Sequence, residues 1–301
     1  MTPGTPENIP NAPSGDSAPM GLLSIDVEDW FQVENLKTAI APDTWNQYEL
    51  RVQRNTDQLL AQFEQHRAKA TFFVLGWIAK RCPDLIERIA GAGHEIASHG
   101  YAHQLVHQQS PQAFQQDVTR AKGLLEDLVG QPIRGYRAPC FSITDWAIDI
   151  LQQTGHHYDS SAFPVIAHDR YGQLAGLDTQ HTVSEIRPGF HEVSLSVLKL
   201  GRQALPWAGG GYFRLLPYPI FQRGVKAILK SGQPYVFYLH PWEIDPGQPR
   251  AQGLKWSARY RHELNLGKTQ KRLDALLRDF AWQPLSASLG QPQPMPLPSA
   301  A

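Results

Sequence analysis

Short apolar runs such as Leu22 to Asp26, Ala70 to Leu75 and Tyr235 to Leu239 recur along this chain, separated by longer stretches with helical spacing. That alternation most constrains the fold, because strands exchanging with helices build βα units around a parallel sheet or barrel. Val52, Leu59, Leu60 and Phe63 mark a helix from Arg51 to Gln65, and Ala70 to Leu75 then reads as a buried strand. A helix over Leu85 to Ala92 ends at Gly91 and Gly93, and His94 to Ser98 leads back into the sheet. Phe114, Val118, Ala121, Leu124, Leu125 and Leu128 place one apolar face on a helix from Pro111 to Val129. Arg134 to Pro139 is a short strand, Ala147 to Gln153 a helix, Tyr158 to Ser161 a strand end, and Tyr235 to Leu239 a buried strand. A last helix is expected over Lys268 to Phe280.

Residues 1–19 hold five prolines and neither a basic start nor an apolar run, so they read as a disordered leader rather than a signal peptide. Residues 20–285 read as one domain, with an insertion near 163–217 where the pattern loosens into short β segments around Gly209-Gly210-Gly211, and residues 286–301 as a disordered tail. The 28 basic and 28 acidic residues cancel without a basic block, which argues against nucleic acid or an anionic membrane and for a neutral or polar substrate. Cys82 and Cys140 have no metal-type spacing and read as thiols rather than a disulfide. No apolar stretch reaches the roughly 20 residues of a membrane span, so a cytoplasmic location is expected.

Chemistry concentrates in Asp26-Val27-Glu28-Asp29 at the end of the first strand, in Ser98-His99-Gly100-Tyr101-Ala102-His103, and in His240 at the end of the Tyr235 to Leu239 strand. Strand C-terminal ends are where barrel enzymes carry their catalytic groups. Two imidazoles four positions apart can converge on one ion if the local turn is helical, and a carboxylate would complete three ligands with a position left open. An arbitrary HxxxH pair is more often a surface or capping feature. The acidic cluster and the strand motifs reverse that expectation here.

In this order, Asp26 with Glu28 and Asp29, the Ala70 to Gly76 strand, His94 through His103, Arg137-Ala138-Pro139, Tyr158-Asp159-Ser160 and Leu239-His240 resemble the polysaccharide deacetylase family, the carbohydrate esterases with a NodB-type domain. Gly209 to Arg214 and the subgroup-specific segment 240–285, which opens on His240-Pro241-Trp242-Glu243, look like the subgroup associated with exopolysaccharide and exosortase loci. The resemblance implies an α/β fold, a distorted and incomplete (β/α) barrel of about seven parallel strands. It implies removal of N-acetyl groups from N-acetylhexosamine units of a polysaccharide or its precursor, with a divalent ion, Zn²⁺ by default, and association with exopolysaccharide machinery.

Carried over residue by residue, Asp26 is the general base, Arg137 holds it, and His240 is the general acid. His99 and His103 are metal ligands. The third ligand is Asp29, which keeps the residue type, or Glu28, which keeps the one-residue spacing and would face the same side as Asp26 on an extended strand; Asp29 is slightly favoured. The Cys140 N–H after Pro139 would bind the oxyanion, Phe141 would supply a ring, Leu239 would line the acetyl pocket, and Asp159 would tune His240 or position substrate. Trp242, Trp207, Tyr212 and Trp30 are candidates for stacking on sugars, and Arg214 and Arg250 for an anionic sugar or for ordinary pairing. Hydrolysis of a cyclic or small amide, and an inactive glycan-binding scaffold, are the competing readings. A glycosidase would need two carboxylates across the bond and no histidine pair.

Overall fold

The computed structural model describes residues 20–165, 172, 174–201 and 203–290. The expected leader at 1–19 and most of the expected tail lie outside the described residues. The first strand, β1 (Gly21–Val27), is buried at every position, as befits a central parallel strand covered on both faces. Helix α1 (Val52–Gln65) returns the chain to β2 (Thr71–Val74), after which α2 (Gly76–Arg81) and α3 (Pro83–Gly91) lead to β3 (Glu95–Ser98). Helix α4 (Pro111–Val129) keeps its expected limits because both ends are specified locally. Ser110 accepts from the Ala113 N–H at 3.2 Å, Pro111 opens the first turn, and Gly130 closes the helix at φ +65°.

The chain continues through β4 (Gly135–Tyr136), α5 (Asp145–Gln153), β5 (Tyr158–Asp159), β6 (Val183–Arg187), β7 (Phe190–Val193), β8 (Val197–Leu200) and β9 (Gln203–Pro206). It ends with α6 (Gly210–Leu215), α7 (Tyr218–Lys230), β10 (Tyr235–Leu239), α8 (Trp256–Glu263), α9 (Leu266–Asp279) and β11 (Trp282–Gln283). The main sheet runs β10-β1-β2-β3-β4-β5-β7-β6, parallel from β10 to β7 with β6 antiparallel at the edge, and β11 also pairs with β1. Among the described residues β10 and β6 are not paired, so this is an open, curled α/β sheet with the expected seven-strand parallel run.

The stretch expected as an insertion supplies β6 and β7 to the main sheet and a separate β8–β9 hairpin. Helix α7 buries Phe221, Gly224, Val225 and Ile228 on one face, with Pro219 in its first turn. Gly224 is required by packing: a Cβ there would sit 2.2 Å from the Trp207 indole, which stacks on Phe221. Leu23, Ile25, Phe72, Phe237 and Leu239 of the sheet share one core cluster with Leu59 and Phe63 of α1 and Leu273 and Leu276 of α9. Burial of each such side chain contributes roughly 1.5–3 kcal/mol. Among the described residues, no helix is long and apolar enough to cross a membrane.

Candidate active site and metal centre

The C-terminal ends of β1, β3 and β10 are neighbours in the sheet or one strand removed, so the loops that follow them open on one cleft of about 490 Å³. Asp26, Glu28, His103, Cys140, Phe141, Tyr238, His240 and Trp242 all line it. Asp26 is the penultimate residue of β1, and the chain turns sharply behind it, with the Glu28 N–H donating to the Asp26 carbonyl at 2.9 Å. This turn sends the Glu28 and Asp29 carboxylates in different directions.

Glu28 Oε1 lies 3.2 Å from His99 Nε2, 3.1 Å from His103 Nε2 and 3.7 Å from His240 Nε2. One ligand atom each from Glu28, His99 and His103 falls within 4.8 Å of the others, and all three residues are buried. Asp29 points away: its Oδ1 accepts from the Trp30 N–H at 2.8 Å, and its Oδ2 from Arg51 and Val52 N–H groups at 2.7 and 2.9 Å. Asp29 therefore caps a short 3₁₀ turn and ties it to the start of α1. Burial pushes its carboxyl up to about 6 against those three donors. The geometry brings Glu28, not the favoured Asp29, to the histidines, because the turn after Asp26 spends Asp29 on backbone amides.

The histidines meet without a helical turn. Gly100 and His103 both adopt positive φ, +72° and +53°, so the segment is a bend in which two left-handed residues bring the rings together. Asp117 on α4 fixes that bend by accepting from the Tyr101 N–H at 2.8 Å, and a Cβ at Gly100 would sit 2.7 Å from the same carboxylate. His99 Nδ1 faces the Arg137 carbonyl oxygen at 2.8 Å, so Nδ1 carries the proton and the Nε2 lone pair faces Glu28. A lone pair 3.2 Å from a carboxylate oxygen is repulsive unless a proton or a cation lies between them. The donor set thus fits a divalent ion held by two imidazoles and one carboxylate, with the outer hydrogen bond such ligands commonly carry.

Arg137 is fully buried. It donates from Nη1 to Asp26 Oδ1 at 2.7 Å and to Ser24 Oγ at 2.8 Å, and from Nε and Nη2 to the carbonyl and hydroxyl of Ser160, each at 2.8 Å. Asp26 Oδ2 is left facing His240 Nε2 at 3.9 Å. Behind His240 runs a relay: Nδ1 pairs with Glu243 Oε1 at 2.8 Å, and Glu243 Oε2 accepts from Arg214 Nε at 2.6 Å. Burial works against charge on His240, but Glu28, Glu243 and Asp26 outweigh it and lift the imidazolium to about 9. Burial also raises Glu28, yet its interactions with His103 and His240 hold it well below the usual carboxylate range. Arg214 further binds the carbonyls of Arg261, His262 and Leu264, clamping the end of α8 beside the cleft. Gly209 lets α6 come this close, since a Cβ there would meet the Tyr238 carbonyl at 2.1 Å.

Other expected site residues lie elsewhere. Asp159 accepts from Ser161 Oγ at 2.6 Å and pairs with the buried Glu192; Glu243 holds the position beside His240 that Asp159 was expected to fill. Burial raises both carboxyls of that pair, Asp159 to about 6 and Glu192 well above its ordinary value. Leu239 is fully buried opposite Ile25, and neither it nor Pro139 lines the cleft; Tyr238 and Phe141, their rings 5.1 Å apart, do. Trp242 is only 4% exposed and stacks on His240 and His262, so it offers no open face to a sugar. Trp30 and Trp207 are core residues, and Tyr212 is the remaining candidate at the cleft. Arg250 is 78% exposed and 3.8 Å from Glu263. Sequence reasoning missed Glu243, whose signal was its spacing three residues beyond His240, and Tyr260 and Arg261, whose helix has little apolar periodicity.

Residues 43–158 match the family model described as polysaccharide deacetylase, and residues 160–289 match a domain of unknown function, DUF3473. A peptidoglycan-N-acetylglucosamine deacetylase of Bacillus cereus is 26% identical over 151 residues, 45% of this chain and 52% of that protein. A chitooligosaccharide deacetylase of Rhizobium leguminosarum bv. trifolii is 31% identical over 103 residues, 33% of this chain and 45% of that protein. The chain spans about half or less of the length of these curated relatives. A solved structure from Mycobacterium smegmatis, described as a candidate polysaccharide deacetylase, superposes with a TM-score of 0.59 at 20% identity, over 92% of this chain and 91% of that one; it supports the fold.

Proposed function

We propose, on the premise that residues 43–158 fall within the polysaccharide deacetylase family, that the cleft hydrolyses the N-acetyl amide of an N-acetylhexosamine unit in a glycan. The observation that carries the reading is the cluster of Glu28, His99 and His103, set beside Asp26 and His240 at one cleft. Glu28, His99 and His103 would hold a divalent ion, for which Zn²⁺ suits the donor set. Bound there, it would supply the Lewis acidity that an unreactive amide carbonyl needs.

The remaining work falls to side chains of the chain itself. Arg137 occupies Asp26 Oδ1, so Oδ2 is the oxygen that takes a proton from the attacking water. The backbone N–H of Cys140 is the oxyanion donor we assign, in a strained segment where Cys140 and Phe141 both have positive φ, +52° and +60°. His240 gives the Nε2 proton to the leaving nitrogen while Glu243 holds Nδ1. Phe141 and Tyr238 form the apolar wall for the acetyl methyl. The exopolysaccharide association suggested by residues 209–214 and 240–285 belongs to this proposal as the setting of the reaction. His240→Ala tests the acid role: it retains stoichiometric metal and loses most turnover, whereas loss of metal would make His240 a ligand and sink the assignment.

A further inference from the structure

Helix α8 sets two large aromatic side chains in solvent, Trp256 at 77% and Tyr260 at 50% exposure. One helical turn apart, their rings lie 5.6 Å between centroids and 18° from parallel. Tyr260 is also part of the cleft that contains Asp26 and His240, where Tyr212 and Leu215, 41% and 51% exposed, add to the same wall. The apolar wall thus starts beside the reacting groups and continues out of the cleft along one face of α8.

Trp30, Trp45, Trp77, Trp207, Trp242 and Trp282 are buried, whereas Trp256 faces solvent. Arg214 clamps the Arg261, His262 and Leu264 carbonyls, which fixes the end of α8 against the same Glu243 that holds His240. The aromatic face is therefore tied in position to the cleft. Exposed aromatic faces present flat apolar surface, which suits the C–H faces of pyranose rings.

We propose that Trp256 and Tyr260 form a distal glycan subsite that binds sugar units of the same chain whose N-acetyl group lies at His240. The subsite rests on the deacetylase reading for the identity of that chain, and it makes the preferred substrate an oligomer or polymer rather than a monosaccharide. Flanking units stack on the α8 rings, and the reacting unit sits inside the cleft.

The test uses metal-stripped full-length protein, so that binding is read without turnover, and N-acetylglucosamine oligomers from dimer to hexamer as probes, with affinity followed by calorimetry. The hexamer should bind about tenfold or more tightly than the dimer. In Trp256→Ala, and more fully in Trp256→Ala/Tyr260→Ala, the hexamer-to-dimer ratio should collapse toward one. A length-independent affinity, or a ratio unmoved by the substitutions, overturns the subsite. So does a patch whose role is elsewhere: vesicle binding or dimerisation that the Trp256 substitution abolishes while the oligomer ratio stays intact. Length-dependent binding lost in the variants, with no acetate released by the metal-loaded parent, would keep the subsite and reject the deacetylase reading. Acetate release with no length dependence would do the reverse.

Discussion

Removing the Arg137 guanidinium tests the internal logic of the site most sharply, because the cost can be worked out bond by bond. Arg137 is fully buried and 2.7 Å from Asp26, whose side chain is only 3% exposed. In Arg137→Met the Ser24 hydroxyl keeps its bond to the Phe237 carbonyl and the Ser160 hydroxyl its bond to the Val193 carbonyl. The loss then falls mainly on Asp26, a buried carboxylate left with only the His240 imidazole 3.9 Å away, and on the Ser160 carbonyl, which loses its Nε donor, with a smaller part from the guanidinium 4.1 Å above the Phe73 ring, whose contact methionine partly replaces. Breaking a buried pair from one side costs about 3–5 kcal/mol. For a domain of this size that lowers Tm by roughly 6–20 °C. Asp26→Asn breaks the same pair from the other side, but the guanidinium keeps Ser24, Ser160 and an amide oxygen as acceptors, so the cost should be smaller, about 1–3 kcal/mol. The double variant removes the orphaned charge and should recover at least half of the Arg137→Met loss. Urea denaturation of the four proteins measures the cycle. An Arg137→Met variant within about 1 kcal/mol of the parent, or a double variant no more stable than Arg137→Met, would refute the reasoning.

Asp29→Asn should retain stoichiometric Zn²⁺ and Glu28→Gln should lose it, as read by metal analysis after dialysis; the opposite pattern would restore Asp29 as the ligand. Glu243→Gln should keep the metal yet lower turnover by about 100-fold, because His240 loses the carboxylate that orients it; unchanged turnover would remove Glu243 from the relay. Burial holds His156 down at about 3, with Lys122 adding to the effect, and likewise His94 at about 4 beside Lys69. Between those values and the unfolded pKa of about 6.5 the unfolded chain binds protons that the folded chain refuses, so stability falls as pH falls through that window. At pH 5 each histidine withdraws on the order of 2 kcal/mol, and His156→Gln should flatten the slope by about one proton. An unchanged slope in urea titrations would contradict this.

The sheet was legible wherever burial was complete. Gly21 to Val27, Thr71 to Val74 and Tyr235 to Leu239 are largely apolar because they are buried along almost their whole length, and Ser110, Pro111 and Gly130 mark α4 at both ends. Helix α8 escaped notice for the opposite reason, since its aromatic side chains face solvent and leave no core-facing stripe. In the site, residue types and chain order pointed to Asp26, Arg137, His99, His103 and His240, which the fold brings together. What spacing could not decide was the direction of each carboxylate. The turn behind Asp26 sends Glu28 to the imidazoles and Asp29 to three backbone amides, a choice made by residues 51 and 52, more than twenty positions away. The partner of His240 was likewise set by tertiary packing, because Asp159 is drawn to Glu192 and the Glu243–Arg214 pair takes its expected place.

The most direct measurement of the central claim is acetate release from N-acetylglucosamine oligomers by metal-stripped protein, with and without added Zn²⁺, beside Asp26→Asn. The account predicts release that appears on adding the ion and is abolished in the variant. Failure to bind metal, or release that is indifferent to the ion or to Asp26, would contradict it.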